Sequence, residues 1–326
     1  MRHFVFEFIT GGGLSGRELP VSLAREGDLM ASALVNDLKQ LPGDEIMLCR
    51  DERLPGLDAD IQYCIVSQQA QATVLQAINN DDLVWLIAPE TGGCLVEWAE
   101  LFMQQPVQVL VSGIDSLRAC SSKFKTCEQL KQHGIPVIHT VVAGQPVPAS
   151  ENGWVIKPDD GAGAEGVRVF SSEQQLQSFI AEIDPANWVI QPRVNGSAMS
   201  LSMLCYDGQA KVVGCNQQEI DMDSGVITLQ AVSVNAYTDK LEDLQQIASD
   251  IAMAMPGLRG YIGVDLVQTV ANNYTIVEIN PRLTTAYVGL SESLGINLAA
   301  QIIETFQSGI VPPININGAS KIRIPL

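Results

Sequence analysis

The chain has 326 residues, enough for two or more domains at the usual ~100–200 residues each. With 19 Lys and Arg against 37 Asp and Glu, its formal charge of −18 argues against a surface built for nucleic acid or an anionic membrane. That excess leaves room for a pocket in which a few local cations bind an anion, while no apolar run approaches the ~20 residues needed to cross a bilayer.

The first ten residues, MRHFVFEFIT, carry a glutamate inside the apolar run and lack a small-residue cleavage site. They predict a buried strand over 4–9 and no signal peptide. A helix is expected over 29–41, a strand over 45–49, a helix around 74–78, a strand over 84–87, a helix around 98–102 and a strand over 108–111. Strands alternating with helices predict a parallel sheet with crossover helices. Turn and capping residues over 112–122 place a boundary near residue 117. Beyond it a helix over 123–133 ends at Gly134 and Pro136, and the pattern turns β-rich. Segments 155–157 and 167–170 flank a glycine-rich turn as a hairpin, followed by strands at 189–191, 201–204, 211–215 and 227–232. A helix at 241–255 precedes two strands, 261–267 and 274–279, joined by a hairpin through Ala271, Asn272 and Asn273. The seven cysteines contain no CxxC pair, which argues against a zinc site or a disulfide framework and for buried thiols in a reducing cytoplasm.

Residues 11–16, GGGLSG, match the bare GxGxxG pattern after a strand. A dinucleotide site needs a helix opening on the third glycine. Here Pro20 falls within those first turns, and Glu26-Gly27-Asp28 is expected as a second loop. A loop shaping another ligand site, or a plain connection, is preferred.

Three later segments carry chemistry. Lys123 stands at an expected helix start behind Ser122, where an ammonium can aim at a phosphate. Lys157 lies inside the apolar strand WVIKP, where a charge needs a partner such as a polyphosphate. The following loop has glycines at 161, 163 and 166, which let backbone N–H groups turn toward an anion. In the third segment, Asp265 of GVDLV and Glu278 and Asn280 of VEINPR can share one face of adjacent strands. Their hard oxygen donors suit Mg²⁺ that also holds phosphates. Arg282, just past Pro281, can neutralise a transferring phosphoryl group or clamp a carboxylate.

In this order the motifs resemble the ATP-grasp superfamily over about residues 120–305. The resemblance implies an N-terminal parallel-sheet α/β domain (1–117) and two α+β lobes enclosing the nucleotide, 118–190 with the flap and 191–326 with the metal site. It implies ATP and Mg²⁺, with Mn²⁺ as an alternative ion, held at Asp265, Glu278 and Asn280. Lys123 and Lys157 would meet phosphates or adenine, and Gly161, Gly163, Glu165 and Gly166 would form the flap. The stretch after Gln191 looks like the adenine hinge, with backbone groups of Arg193 and Val194 reading the base. The acid that many members use for the ribose is missing from Gly196-Ser197-Ala198-Met199-Ser200, which leaves Ser200 as the substitute.

The pieces FEF, TGGG, Ala88-Pro89-Glu90 and NPRLTT are similar to the tyramine–glutamate ligase branch of methanofuran biosynthesis. That likeness places Gly11, Gly12, Gly13 and Glu90 on the substrate side and implies a carboxylate–amine ligase in which Lys157 and Arg282 assist the chemistry. Glutamate and an aromatic amine would be its small-molecule partners, with a homodimer kept as a candidate assembly. A ligase for another amino acid or dipeptide, or a non-catalytic nucleotide-binding protein, stands as the alternative.

Overall fold

The computed structural model describes residues 1–163, 165–222, 225–269 and 273–326. Its first sheet is parallel, with strands β1 (Arg2–Glu7), β2 (Glu45–Asp51), β3 (Gln62–Val66), β4 (Leu83–Ile87) and β5 (Gln108–Val109) in the order β3-β2-β1-β4-β5. Helices α1 (Val21–Leu38), α2 (Ala70–Ala77) and α3 (Cys94–Met103) connect the strands. β1 and β4 are buried almost throughout; β4 reads as a continuous apolar run, and β1 carries Phe4–Phe6 between the buried His3 and Glu7. Phe4, Phe6, Trp98 and Phe102 pack as a ring cluster, with centroids of contacting pairs between 4.2 and 6.3 Å apart.

One strand, β3, was not expected, and one expectation, the start of α1, fails. β3 has only Cys64 and Val66 fully buried, too little alternation to be legible. Helix α1 opens at Val21, eight residues before the expected start, and it includes the supposed loop Glu26-Gly27-Asp28. Pro20 stands just outside the helix in an extended conformation, so its missing N–H breaks nothing. Gly27 sits where the helix crosses Glu7; a Cβ there would lie 2.5 Å from the Glu7 carboxylate. Close packing outweighs the ~1 kcal/mol that glycine costs a helix.

The GxGxxG segment is a packed turn. Gly11 and Gly13 donate their N–H groups to the Glu7 and Phe8 carbonyls at 2.7 and 2.8 Å. Gly12, at φ +93°, approaches Val66 so closely that a Cβ would stand 2.4 Å from its side chain. With α1 opening beyond Gly16, this turn lacks the geometry of a dinucleotide site.

Helices α4 (Ile114–Cys120) and α5 (Lys123–Gln132) follow, and α4 runs through residue 117. The Ser122 hydroxyl caps α5 by accepting from the Lys125 N–H at 3.1 Å. An antiparallel sheet of β6 (Val141–Val142), β7 (Trp154–Pro158), β8 (Arg168–Phe170) and β9 (Trp188–Pro192) has the order β6-β9-β7-β8. With α6 (Glu173–Ile180) it encloses a small core around Trp154, Ile156, Leu176 and Ile190.

The third sheet is antiparallel and six-stranded: β10 (Ser197–Tyr206), β11 (Gln209–Asp221), β12 (Thr228–Val234), β13 (Gly260–Gln268), β14 (Tyr274–Asn280) and β15 (Ile322–Pro325), ordered β14-β13-β10-β11-β12-β15. The hairpin turn expected at Ala271 and Asn272 lies outside the described residues. Helices α7 (Leu241–Ala254), α8 (Tyr287–Leu294) and α9 (Leu298–Ser308) complete this region. Leu244, Ala248, Ile251 and Ala252 form the buried stripe of α7 at helical spacing. Leu34 of α1 and Met203 of β10 belong to one continuous core, so the first and third sheets are packed into a single body. Asp37 of α1 reinforces this junction by accepting from the Tyr287 and Ser291 hydroxyls, both at 2.6 Å.

Candidate active site

β13 and β14 pair so that Asp265 faces Glu278 and Gly263 faces Asn280. The Asn280 amide donates to Asp265 Oδ2 at 3.1 Å, and the Gln218 amide on β11 donates to Oδ1 at 2.8 Å. Glu278 instead meets two ammonium groups: Lys123 Nζ and Lys157 Nζ each lie 3.6 Å from its Oε2. Lys123 comes from the first turn of α5 and Lys157 from β7, so three separate elements deliver charge to one point. A lysine inside a strand thus has the partner that its burial requires.

The two carboxyls are unequal. Burial raises Asp265, and the neighbouring Glu278 carboxylate raises it further. Burial also pushes Glu278 upward, but the Lys123 and Lys157 ammoniums outweigh it and hold its carboxyl low. Burial draws the Lys157 ammonium down from its ordinary value, against the opposing pull of Glu278. A divalent cation between the carboxyls would remove the repulsion that keeps Asp265 high. Among the described residues no cluster of three or more His, Cys, Asp or Glu could hold an ion alone. The donor set of two acids and one amide therefore fits an ion that completes its shell with ligand phosphates, as Mg²⁺ does.

These groups form one wall of a cavity of about 1330 Å³ between the second and third sheets. Lys123, Lys157, Gly161, Gly163, Glu165, Gly166, Gln191, Arg193, Val194, Ser200, Asp265, Glu278, Asn280 and Arg282 all line it. The sequence motifs therefore converge on one space.

The glycine loop crosses the cavity between β7 and β8. Gly163 and Gly166 adopt φ of +63° and +75°, in the left-handed region that favours glycine. A Cβ on Gly166 would stand 3.0 Å from the Pro158 ring. Lys123 Nζ also donates to the Gly161 carbonyl, and Glu165 is exposed at the cavity edge. Further contacts reach the first region: the Gly92 N–H donates to Asp160 Oδ2 at 2.8 Å, and the Ala162 N–H to Thr91 Oγ1 at 3.2 Å.

At the end of β9, Gln191 is buried with its amide donating to Thr140 Oγ1 at 2.9 Å. The Arg193 N–H is already engaged with the Gly153 carbonyl at 2.8 Å. Ser200 pairs across from Asp265, and its Oγ accepts from the Asn216 amide at 3.3 Å.

Arg282 is clamped by Glu90. Nε lies 3.0 and 3.1 Å from the two Glu90 oxygens, and Nη2 lies 2.8 Å from Oε2. Burial alone would lower this guanidinium, but the Glu90 carboxylate more than compensates and raises it. Glu90 is itself 4% exposed and stands behind Arg282, outside the cavity lining. The expectation that Gly11, Gly12 and Gly13 face the substrate is overturned: they are packed against Phe8, Cys49 and Val66 and do not line the cavity.

Sequence reading missed two contributors. The start of α1, including Ser22, Arg25 and Glu26, lines the cavity, and the Thr285 hydroxyl donates to Glu26 Oε1. Gln218 was also missed; its alternation with Asn216 along β11 was the available signal.

The ATP-grasp domain model matches residues 120–286, just over half of the chain, and the pre ATP-grasp 3 domain model matches residues 45–116. The chain belongs to the ATP-grasp family. Among similar proteins, the tyramine–L-glutamate ligase of Methanocaldococcus fervens is 26% identical over 209 residues. The match covers 64% of this chain and 61% of that relative, so the chain spans less than two thirds of its length. An ATP-grasp superfamily protein from Archaeoglobus fulgidus superposes with a TM-score of 0.70 at 21% identity, covering 96% of this chain and 90% of the other. The L-amino acid ligase from Bacillus licheniformis gives a TM-score of 0.65 at 12% identity, with 96% and 77% covered. These two structures establish the ATP-grasp fold.

Proposed function

We propose that this ATP-grasp protein is an ADP-forming carboxylate–amine ligase, with glutamate and tyramine or a related aromatic amine as its substrates. The observation that carries the reading is the meeting of Lys123 and Lys157 at Glu278, directly across the hairpin from Asp265. Such a charge set suits a triphosphate with a divalent ion, and the similarity to tyramine–L-glutamate ligase supports the choice of substrates. In this reading residues 118–190 and 191–326 are the two nucleotide-enclosing lobes, and residues 1–117 contribute the acceptor side.

The adenine lies against the Arg193 carbonyl and Val194 N–H, and Ser200 stands near the ribose. Lys123, Lys157 and the amides of the glycine loop hold the phosphates and withdraw charge from the γ-phosphoryl group. Asp265, Glu278 and Asn280 would hold Mg²⁺, which when bound supplies further charge neutralisation at the phosphoryl oxygens. The substrate carboxylate attacks the γ-phosphorus, the bond to the β-phosphate oxygen breaks, and an acyl phosphate and ADP result. Arg282 faces the developing charge, its orientation held by Glu90. The amine then attacks the acyl carbon, phosphate leaves, and an amide forms with loss of a proton. Positioning and charge neutralisation suffice, so no nucleophilic side chain is required. The glycine loop keeps water from the acyl phosphate.

The test is phosphate release with ATP, Mg²⁺, glutamate and tyramine, together with the mass of the product. Amine-dependent phosphate release and a product lighter than its two precursors by one water are expected. Nucleotide binding without turnover across a broad panel of carboxylates and amines would overturn the ligase reading.

A further inference from the structure

The turn Glu90-Thr91-Gly92, which precedes α3, does not itself line the cavity but contacts Arg282 and the glycine loop, which do. On one side the Glu90 carboxylate grips Arg282, 192 residues away in sequence. On the other, Thr91 Oγ1 accepts from the Ala162 N–H and the Gly92 N–H donates to Asp160 Oδ2. Gly92 and Gly93 lie at φ +64° and +72°, the left-handed backbone that turns one face of this segment toward the glycine loop while Glu90 points inward. The contacts continue: Lys123 Nζ donates to the Gly161 carbonyl beside Asp160 and also meets Glu278. A chain of polar contacts thus runs from Arg282 through the turn and the glycine loop to Lys123 and Glu278.

We propose that Glu90, Thr91 and Gly92 form a positioning element that couples docking of the glycine loop to the orientation of Arg282. Resting on the ligase reading for its catalytic consequence, this means that the loop is held down only when Arg282 stands ready for the carboxylate. The physical basis is the short path. Glu90 and Thr91 are adjacent residues, and a shift of the turn that loosens one grip moves the other. The buried, bidentate Glu90–Arg282 pair is the rigid end of the device. The single hydrogen bonds to the loop are the end that can be made and broken, since one such bond contributes only modestly to stability.

Hydrogen exchange of the peptide covering residues 159–167 tests the coupling, read with and without a non-hydrolysable ATP analogue and Mg²⁺. In the unmodified protein the nucleotide should slow exchange in this peptide. Thr91→Val should lose about threefold of that protection, the loss of one weak hydrogen bond, while Thr91→Ser keeps it. Glu90→Gln, whose side chain does not touch the loop, should lose protection as well. In turnover, Thr91→Val should raise the ADP released per amide formed, because water reaches the acyl phosphate. Absence of nucleotide protection in the unmodified protein, or unchanged protection in either Thr91→Val or Glu90→Gln, would overturn the coupling. The exchange arm needs only bound nucleotide. Amide formation with unchanged exchange defeats the coupling alone, and altered exchange without any amide defeats the ligase reading alone.

Discussion

The first and third sheets reach the same cavity by opposite means. The antiparallel third sheet projects its functional groups directly: Asp265, Glu278 and Asn280 stand on neighbouring strands of one hairpin, and Gln218 stands on a strand of the same sheet. The parallel first sheet keeps its central strands β1 and β4 buried and reaches the cavity through the start of α1, with the Glu90 turn standing behind Arg282. One face of an antiparallel sheet can be open while the other packs, whereas a parallel sheet covered by helices has only its loops and helix ends to offer. Chemistry in the third sheet is therefore a matter of strand register, and in the first region a matter of where connections land.

That contrast can be broken in four places. Phe102→Ala should destabilise the protein by about 3–5 kcal/mol, because the ring is fully buried against Phe4, Phe6 and Trp98. Denaturant unfolding measures this loss, and the fraction that remains folded should keep its turnover. Glu278→Gln in the third sheet should do the reverse. Turnover should fall at least ~100-fold while the fold is retained by near-UV circular dichroism. Unchanged turnover would remove Glu278 from the reaction.

Gln218→Leu should lower turnover about tenfold at saturating ATP. It deprives the Asp265 carboxyl of one hydrogen bond and leaves the Lys–Glu278 contacts in place. The last test is a pH slope in the first region. Burial raises the Glu7 carboxyl from 4.5 to about 7, against the pull of its bonds from Thr10 and Ile9. The folded state therefore binds a proton there that the unfolded state has released. The stability contributed is complete below about pH 4.5 and is lost as pH rises through about 7. Urea midpoints compared across this interval should fall with rising pH, and the fall should be shallower in Glu7→Gln. An equal slope in both proteins would show that Glu7 ionisation does not govern it.

Legibility followed sequence distance. Lys157 and its glycine loop, and Glu278 with Asn280, are near neighbours whose chemistry is carried by a strand and a turn. The hairpin that brings Asp265 opposite Glu278 is likewise local, but alternation alone would set Asp265 against Val277; a shift of register between Asp265 and Leu266 puts the two acids opposite each other. The early start of α1 was not legible, because Pro20 and Gly27 carry the signature of a loop unless the packing of Gly27 on Glu7 is known. The glycines at 11, 12 and 13 misled in the other direction. A pattern compatible with an anion site is equally compatible with a turn whose side chains would have no room.

The sequence by itself determined the residue types that suit an anion and a divalent ion: a lysine within an apolar strand, a glycine loop and oxygen donors on two neighbouring strands. Only the tertiary structure decided which partners these groups meet. The Glu90 clamp on Arg282 spans 192 residues, and the bond from Thr285 to Glu26 spans 259. No periodicity encodes such contacts. They arise because Leu34 of α1 and Met203 of β10 are buried in one common core, and that shared apolar packing carries the polar groups of distant segments to a single site.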